Sequence, residues 1–447
     1  MTSQIEYVVK RTGAVVPFKR ERITNAIYRA AVAVGGRDRE TAERLANQVV
    51  AMLEQSTPAG EVPTVEGVQD VVEKVLIEAG HAKVAKAYIL YRDERARQRH
   101  ERALRSAMPY SNIPWRKLWE VLNWAVAHEV ETVEKLNARI ARGEFAQIVR
   151  EADRAYTEDI TTAMEMICER QGGVKIVIIA GPSSSGKTTT TTKLNHMLSR
   201  HGMSLVALTV DNYFFNLDVH PKDEYGDYDF ETPQALDLAL INEHLVRLIA
   251  GEEVLIPYYD FKTGQRADHQ TPMRVAPNEI ILIDSLHGLY EDMTIDVPAE
   301  NKFKIYIEPL LQMKDATGQY IRWTDLRLMR RMMRDASHRA YDPQQTLEHW
   351  HYVRKSEMRH IIPYVNTTDY IVNSGLPYEL PVMRPRLLEH FGRWAEEYAG
   401  HPERVDAHAR AVRVRDVLRA VAPVEDDSAI PPDSLLREFI GGSCYEY

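Results

Sequence analysis

A β-rich run, Lys175–Ala180, leads directly into the sequence Gly-Pro-Ser-Ser-Ser-Gly-Lys-Thr at residues 181–188, and a helix-forming stretch follows. Gly181 and Gly186 allow backbone conformations and close approaches that other residues forbid, so the N–H groups of the loop can turn inward onto an anion. The helix offers its positive N-terminal end to the same anion. A strand, this loop and a helix in this order predict a phosphate-binding loop. A surface turn is the alternative, which the flanking elements disfavour.

From residue 174 onward, short β-rich runs alternate with helical segments, a pattern typical of a parallel α/β sheet with helices on both faces. The predicted strands are nearly continuously apolar, as expected where both faces of a sheet are covered. They are Lys175–Ala180, Leu205–Val210, Ile280–Asp284, Lys304–Glu308 and Tyr370–Asn373.

A chain of 447 residues exceeds one typical core, so we expect several domains. Residues 1–97 are predicted to form a β-hairpin followed by helices, and residues 98–173 a helical connecting region. The α/β pattern covers residues 174–380. Residues 381–447 are predicted to form a helical extension and a tail.

The composition argues against several classes of protein. The net charge is −9, which is unusual for a general nucleic-acid-binding protein. Cys168 and Cys444 are the two cysteines, too far apart in sequence for a zinc ribbon or a disulfide scaffold. The sequence shows neither a signal peptide nor an apolar run of membrane-spanning length. We therefore expect a cytoplasmic protein with neither a nucleic acid nor a membrane as partner.

Polar residues of the loop, and carboxylates beyond it, suit phosphoryl transfer. Lys187 would reach the β- and γ-phosphates of a nucleotide, and the Thr188 hydroxyl would bind Mg²⁺. Asp284 ends an apolar run, where a carboxylate can hold Mg²⁺ directly or through water. Asp211 follows another predicted strand, where it can accept the proton of an attacking hydroxyl; an aspartate that caps a turn is the alternative. The expected nucleotide contacts of the loop are Gly181, Ser184, Ser185, Gly186, Lys187, Thr188 and Thr189.

A cluster of arginines lies on one face of a predicted helix. At about 100° per residue, Arg327, Arg330, Arg331 and Arg334 share an arc of about 100°. Cations clustered beside a phosphate loop favour a lid that neutralises the transferred charge. The alternative is an exposed face of arginines that form surface ion pairs.

Further motifs follow the loop in a recognisable order. They are Asp-Asn-Tyr-Phe at 211–214, Tyr-Asp-Phe-Glu-Thr-Pro at 228–233, Pro-Tyr-Tyr-Asp-Phe at 257–261 and the arginine run at 327–335. With the loop, these motifs make residues 174–375 resemble the uridine kinase and phosphoribulokinase family of P-loop kinases. The resemblance implies an ATP- and Mg²⁺-dependent kinase. It makes Asp211 the catalytic base, with Lys187, Arg331 and Arg334 also catalytic and Arg330 in contact with ATP. The acceptor contacts that it implies are Tyr213, Glu231, Tyr259, Arg327 and Gln345.

Departures from the family pattern bear on the acceptor. Glu231 stands where the family has aspartate, and Gly264 stands where uridine kinases carry a histidine that contacts the pyrimidine. A missing hydrogen-bond partner weakens base discrimination. We expect the acceptor to be a nucleoside of the uridine or cytidine type, phosphorylated at its 5′-hydroxyl, and these departures make a sugar, sugar phosphate or cyclic polyol the alternative. The tail, Leu436–Ser443, is similar to that of a bacterial uridine-kinase-like subgroup.

The N-terminal region resembles a different family. The segments Val9–Phe18 and Ala85–Arg92 are similar to the ends of an ATP-cone, a small, mostly helical regulatory domain with a β-hairpin. The resemblance implies that allosteric ATP or dATP meets Lys10 and Arg11, and paired cations at a tight turn suit phosphates. An ordinary basic turn is the alternative. We expect such a domain to regulate the activity or the assembly of a homo-oligomer.

A nucleotide-sensing regulator without turnover is a further hypothesis, since ATP-cones also occur in a transcriptional repressor. That repressor has a zinc ribbon, which two distant cysteines cannot build. The presence of both Lys187 and Asp211 also favours an active kinase.

Overall fold

The computed structural model describes residues 5, 7–9, 15–58, 62–92, 112–170, 172–221, 228, 230, 232–338, 342–401 and 404–445. The chain divides into two compact units, residues 1–111 and 112–447. Within the described ranges, no helix combines the length and the apolar character needed to cross a bilayer.

The first unit has the hairpin and the helices that the sequence predicts. Its described elements are β1 (Tyr7–Val9), β2 (Val15–Pro17), α1 (Arg20–Val32), α2 (Arg39–Ser56), α3 (Val65–Glu78) and α4 (82–92). Strands β1 and β2 pair antiparallel. The side chains of Asp38 and Thr64 cap α2 and α3 by accepting from backbone N–H groups that the helices leave open. Apolar residues at helical spacing, among them Ile27, Val49 and Leu76, form the core.

The second unit is built around a parallel sheet. Its strands are β3 (Ile176–Ala180), β4 (Ser204–Ala207), β5 (Val254–Asp260), β6 (Gln265–Met273), β7 (Glu279–Asp284), β8 (Lys302–Glu308) and β9 (Tyr370–Asn373). Five of them form one sheet in the order β4-β7-β3-β8-β9, and every neighbouring pair is parallel. The predicted parallel α/β sheet is thus confirmed.

The structure differs from the sequence prediction in two places, which are the end of β4 and an additional antiparallel ribbon. Strand β4 ends at Ala207 rather than Val210, and Val210–Tyr213 forms a 3₁₀ turn. Strands β5 and β6 form a separate antiparallel ribbon, which the sequence analysis did not predict. Most of β6 is exposed and polar, so it lacks the apolar run by which the other strands were recognised.

Helices flank the sheet along most of the second unit. They are α5 (Trp115–Ala127), α6 (Val133–Ala141), α7 (Phe145–Glu169), α8 (Lys187–Arg200), α9 (Leu238–Ile249), α10 (Trp323–His338), α11 (Pro343–His360), α12 (Glu379–Glu397), α13 (Val405–Ala420) and α14 (Arg437–Ile440). Ile160 of α7, Val177 of β3, Phe391 of α12 and Phe439 of α14 belong to one core cluster. The helices before and after the sheet therefore pack with it in one unit. The division into residues 98–173, 174–380 and 381–447 stays a prediction.

Asp153 of α7 forms hydrogen bonds with residues of the other two predicted regions, 174–380 and 381–447. Its Oδ1 accepts from the Tyr378 hydroxyl at 2.6 Å and from the Ser434 hydroxyl at 3.1 Å. Its Oδ2 is buried and has no hydrogen-bond partner among the described residues. Burial raises the pKa of Asp153 to about 6, although the two hydroxyl donors lower it. The folded protein therefore favours the protonated carboxyl, and stability falls as the pH rises from the unfolded pKa through the folded one.

We expect Asp153→Asn to stabilise the second unit at pH 7.5, by about 1–2 kcal/mol, because the amide keeps an acceptor oxygen and removes the desolvated charge. Urea unfolding at pH 7.5 and at pH 5 measures the effect. The gain should shrink at pH 5, where the native aspartate is already largely protonated. An equal gain at both pH values would contradict the assignment.

Candidate nucleotide and acceptor site

The loop between β3 and α8 requires glycine at two positions. A Cβ atom at Gly181 would lie 2.4 Å from the carbonyl oxygen of Ile307, so a side chain there would push the loop off β8. Gly186 has φ of +91°, and a Cβ atom there would lie 2.5 Å from Cδ1 of Leu435. The non-glycine Ser184 also adopts a positive φ, of 59°. The loop is thus held in a conformation that the local sequence alone would not impose.

The loop and the first turn of α8 present free backbone donors. The first hydrogen bond of the helix runs from the N–H of Thr190 to the carbonyl of Gly186. In the described part of the chain, no group accepts from the N–H of Lys187 or of Thr188. Donors left open at a helix N-terminus, together with the helix dipole, form an anion-binding site. The geometry is that of a phosphate-binding loop.

Lys187 and Thr188 lie at the open side of this loop. The Nζ atom of Lys187 donates to the carbonyl of Gly181 at 3.0 Å. Burial lowers the pKa of Lys187, and the carboxylates of Asp284 and Glu438 oppose that change. The Thr188 side chain is exposed to solvent.

Asp284 and Asp211 follow strands of the same sheet on the carboxyl side. Asp284 ends β7 and pairs in register with Ile179 of β3, directly before the loop. Asp211 lies in the 3₁₀ turn after β4, which pairs with β7. Because the strands are parallel, both carboxylates lie at the edge of the sheet that carries the loop.

The two carboxylates interact electrostatically with Lys187. Both residues are exposed, although nearby protein atoms partly desolvate the carboxylates and raise the pKa of each. The Lys187 ammonium opposes the rise at both sites, and Asp211 adds to the rise of the pKa of Asp284. The structure therefore places Lys187, Asp284 and Asp211 at the same edge of the sheet, within electrostatic reach of one another.

The protein offers few ligands for a metal ion here. Among the described residues, no three His, Cys, Asp or Glu side chains are arranged to hold a metal together. Mg²⁺ is commonly bound by one or two carboxylates, with waters and substrate phosphates completing its shell. Thr188 and Asp284 would fit such a site, with a bound nucleotide supplying the remaining oxygens.

Two of the four clustered arginines are fully buried behind the loop. Arg327 donates to both oxygens of Glu357, at 2.6 and 2.8 Å, and to the carbonyl of Ser183 at 3.1 Å. Arg330 binds both oxygens of Glu379, at 2.7 and 2.6 Å, and its Nη1 lies 3.4 Å from the carbonyl of Ser184. Their charges are neutralised by carboxylates, and they brace the loop from its carbonyl side. The predicted contacts of Arg327 with an acceptor and of Arg330 with ATP stay predictions.

Arg331 and Arg334 are the partly exposed members of the cluster. Nη1 of Arg331 lies 3.5 Å from the Ser183 hydroxyl, and its Nε lies 3.4 Å from Asp335. Nη1 of Arg334 lies 3.9 Å from Glu438. These two side chains retain about a quarter and a fifth of their exposure. Of the four, they are the arginines that a phosphate in the loop could meet without rearrangement of buried ion pairs.

The predicted acceptor residues differ in their burial and in their hydrogen-bond partners. Tyr213 is buried, and its hydroxyl pairs with Nδ1 of His244 at 2.8 Å. Tyr259 is buried in an aromatic cluster with Phe214 and Phe261, and its hydroxyl has no hydrogen-bond partner in the described structure. Gln345 is exposed on α11. Glu231 lies outside the described residues, as do Lys10 and Arg11 of the N-terminal hairpin.

Gly264 occupies the turn between β5 and β6. Its φ is +67°, and a Cβ atom would lie 2.1 Å from Cδ1 of Leu217. The N–H of Leu217 also donates to the Gly264 carbonyl at 3.0 Å. A side chain at this position would require Leu217 to move. Gly264 therefore differs from the histidine of uridine kinases in its backbone conformation as well as in its lack of a side chain.

Sequence reasoning missed the residues that support the site from a distance. Glu357 and Glu379 neutralise the buried arginines, and Glu438 accepts from both the N–H and the hydroxyl of Thr189. No local spacing identifies them, because their partners are far away along the chain. The sequence motif at Leu436–Ser443 includes Glu438, but nothing in the motif indicated a role for that residue.

A strand, a phosphate-binding loop and a helix in a parallel sheet, with carboxylates at the same edge, define a P-loop nucleotide-binding protein. Residues 176–377 match the model of the phosphoribulokinase / uridine kinase family, and residues 6–97 match the model of the ATP cone domain.

Individual relatives agree with both matches. The uridine kinase of Deinococcus deserti is 25% identical over 201 residues, which are 45% of this chain and 87% of that kinase. The uridine kinase of Bacillus pumilus is 28% identical over 201 residues, again 45% of this chain and 86% of that kinase. The vitamin B12-dependent ribonucleoside-diphosphate reductase of Thermoplasma acidophilum is 46% identical over 105 residues, 22% of this chain but only 13% of the reductase.

The chain therefore joins a region that matches the ATP cone domain to a region that matches the phosphoribulokinase / uridine kinase family. The second match indicates a phosphotransferase whose acceptor is a hydroxyl group. Both resemblances seen in the sequence are confirmed.

We expect Gly186→Ala to destabilise the second unit and to weaken binding of MgADP by at least about tenfold, because the new Cβ meets Leu435 and strains the loop. Gly202→Ala is the matched control, since Gly202 also has a positive φ, of +75°, but a Cβ there meets nothing within 4 Å. Urea unfolding and calorimetric titration measure both effects. Equal losses in the two variants would show that φ strain alone accounts for them.

Proposed function

We propose that this chain transfers the γ-phosphate of ATP, with Mg²⁺, to a hydroxyl of a nucleoside, at the 5′ position. The observation that carries the proposal is the position of Asp284 and Asp211 at the edge of the sheet that also carries Lys187 and the open donors of the loop. Phosphoryl transfer needs positioned phosphates, a metal ion and an oriented nucleophile more than it needs covalent chemistry. The uridine kinases among the relatives support a nucleoside as acceptor.

Each residue of this group has a defined role in the proposal. The N–H groups of Lys187 and Thr188 and the Lys187 ammonium hold the phosphates. Thr188 and Asp284 hold Mg²⁺, which would supply charge neutralisation between the phosphates. Asp211 orients the acceptor hydroxyl and takes its proton, and its raised pKa makes it a better base than an ordinary aspartate.

The remaining predicted residues fall into two groups. Arg331 and Arg334 stabilise the charge that develops on the transferred group. Ser184, Ser185 and Thr189 shape the loop around the nucleotide, and Arg330 supports it from behind. Tyr213, Glu231, Tyr259 and Gln345 are the proposed acceptor residues, and Arg327, which the sequence placed among them, supports the loop through its contact with the carbonyl of Ser183.

A sugar, sugar phosphate or cyclic polyol is the second candidate acceptor. The geometry of Gly264 favours it, because the ribbon turn cannot supply a side chain that reads a base edge. The buried hydroxyl of Tyr259, which lacks a partner in the described structure, could accept from or donate to a hydroxyl of either class of acceptor.

A coupled assay of ADP release identifies the acceptor, with nucleosides, pentose phosphates and cyclic polyols as the panel. We expect nucleosides to be turned over, and Asp211→Asn to lower kcat by about 10²–10⁴-fold while MgADP still binds. Asp218→Asn, an exposed carboxylate after the same turn, is the matched control and should keep its activity. Turnover of polyols alone would select the second candidate. If no acceptor is used, or if Asp211→Asn remains fully active, the catalytic assignment is wrong.

We further propose that the ATP-cone adjusts this activity when ATP or dATP binds at Lys10 and Arg11. The double variant Lys10→Ala/Arg11→Ala removes the proposed phosphate contacts and leaves the P-loop unit intact. We expect it to abolish the effect of added dATP on turnover without changing the basal kcat. Lys83→Ala/Lys86→Ala, which removes two exposed cations of the same unit, is the control. An unchanged dATP response in Lys10→Ala/Arg11→Ala would contradict the proposal, and size-exclusion chromatography with and without dATP tests for a homo-oligomer.

A further inference from the structure

A segment near the C-terminus, residues 434–440, lies directly on the phosphate-binding loop. This tail segment places Leu435 against Gly186 and Glu438 against Thr189. Its flanks continue along α8, because Asp433 pairs with Lys193 at 3.1 Å and the ring of Tyr445 lies 5.9 Å from that of His196. The contacted positions of α8 recur every three or four residues, so the tail covers one face of that helix.

The tail segment is a permanent part of the fold. Leu435, Leu436 and Phe439 are completely buried, and Ser434 is hydrogen-bonded to the Tyr378 hydroxyl at 2.8 Å. Detaching the segment would expose three large apolar side chains to water, which strongly opposes its release. The tail segment therefore stays packed against the loop as a fixed wall of the site, and we do not expect it to detach when a ligand binds.

Glu438 makes the polar contact between this wall and the site. It is 4% exposed, and its Oε2 accepts from the N–H of Thr189 at 3.2 Å and from the Thr189 hydroxyl at 2.7 Å. The N–H of Thr189 belongs to the first turn of α8, where no carbonyl of the helix can accept from it. A carboxylate at this position satisfies the donor and favours the positive end of the helix.

The same residue reaches the arginines of α10. Oε1 of Glu438 lies 3.9 Å from Nη1 of Arg334, and the neighbouring Phe439 ring lies 5.0 Å from the guanidinium carbon of Arg330. The tail segment therefore connects the first turn of α8 with α10. These are the two elements whose cations and N–H groups face the loop.

We propose that Glu438 is a positioning residue of the phosphate site. It fixes the first turn of α8 and the side chain of Arg334, so that the open N–H groups of Lys187 and Thr188 and the guanidinium of Arg334 converge on one anion. The site is then built from three distant parts of the chain, residues 181–189, helix α10 and residues 434–440. This inference rests on the proposed nucleotide binding at the loop.

Calorimetric titration of the full chain with MgADP tests the proposal. We expect Glu438→Ala to raise the Kd by at least about tenfold, because two hydrogen bonds to a charged acceptor and the contact with Arg334 are lost. Glu438→Gln should fall between Glu438→Ala and the native chain, because its amide oxygen still accepts from Thr189 but no longer attracts Arg334. Glu425→Ala, an exposed carboxylate earlier in the C-terminal region, is the control and should bind like the native chain.

Steady-state kinetics separates positioning from a general loss of structure. We expect the KM for ATP to rise in Glu438→Gln while the KM for the acceptor and the urea midpoint stay near those of the native chain. Unchanged or tighter MgADP binding in Glu438→Gln would overturn the inference, and tighter binding would mean that the carboxylate competes with phosphate. Titration of the Lys187→Ala variant with MgADP shows how much of the heat signal comes from nucleotide bound at the loop. If the native chain gives no Lys187-dependent signal, the proposed function itself fails, and this inference fails with it.

Discussion

Buried pairs of arginine and glutamate hold the phosphate-binding loop in place. Arg327 with Glu357, and Arg330 with Glu379, are bidentate ion pairs that are almost entirely buried. The two guanidinium groups also reach the carbonyls of Ser183 and Ser184. A buried pair that loses one partner costs on the order of 3–5 kcal/mol, so each pair strongly fixes its position. These contacts engage two carbonyls of the loop from α10, while the N–H groups of Lys187 and Thr188 have no acceptor among the described residues.

The same arrangement divides the arginine cluster by role. Neutralised arginines cannot also offer a full charge to a ligand, whereas Arg331 and Arg334 stay partly exposed. The helix is therefore both a support and a source of cations, according to the direction of each side chain. An arc of about 100° places all four residues on one face but does not distinguish these roles.

Local patterns in the sequence predicted much of the fold. Apolar runs gave the strands of the parallel sheet, and the loop followed β3 as expected, since such runs and glycine positions reflect local backbone preferences. The β5–β6 ribbon was missed because its residues are mostly exposed and polar. The early end of β4 was also missed, because the buried residues beyond Ala207 continue the apolar run although the backbone turns. Asp211 nevertheless lies at the same edge of the sheet as the loop, because β4 is parallel to β7.

The sequence by itself determined the phosphate-binding loop, the alternation of strands and helices, and the resemblance of two regions to two families. Each of these depends on residues that are neighbours along the chain. Only the tertiary structure decided which carboxylates neutralise the arginines and that Glu438 meets Thr189, a contact between residues 249 positions apart. Such contacts depend on burial and on the pairing of charges, which bring together residues that no local periodicity relates.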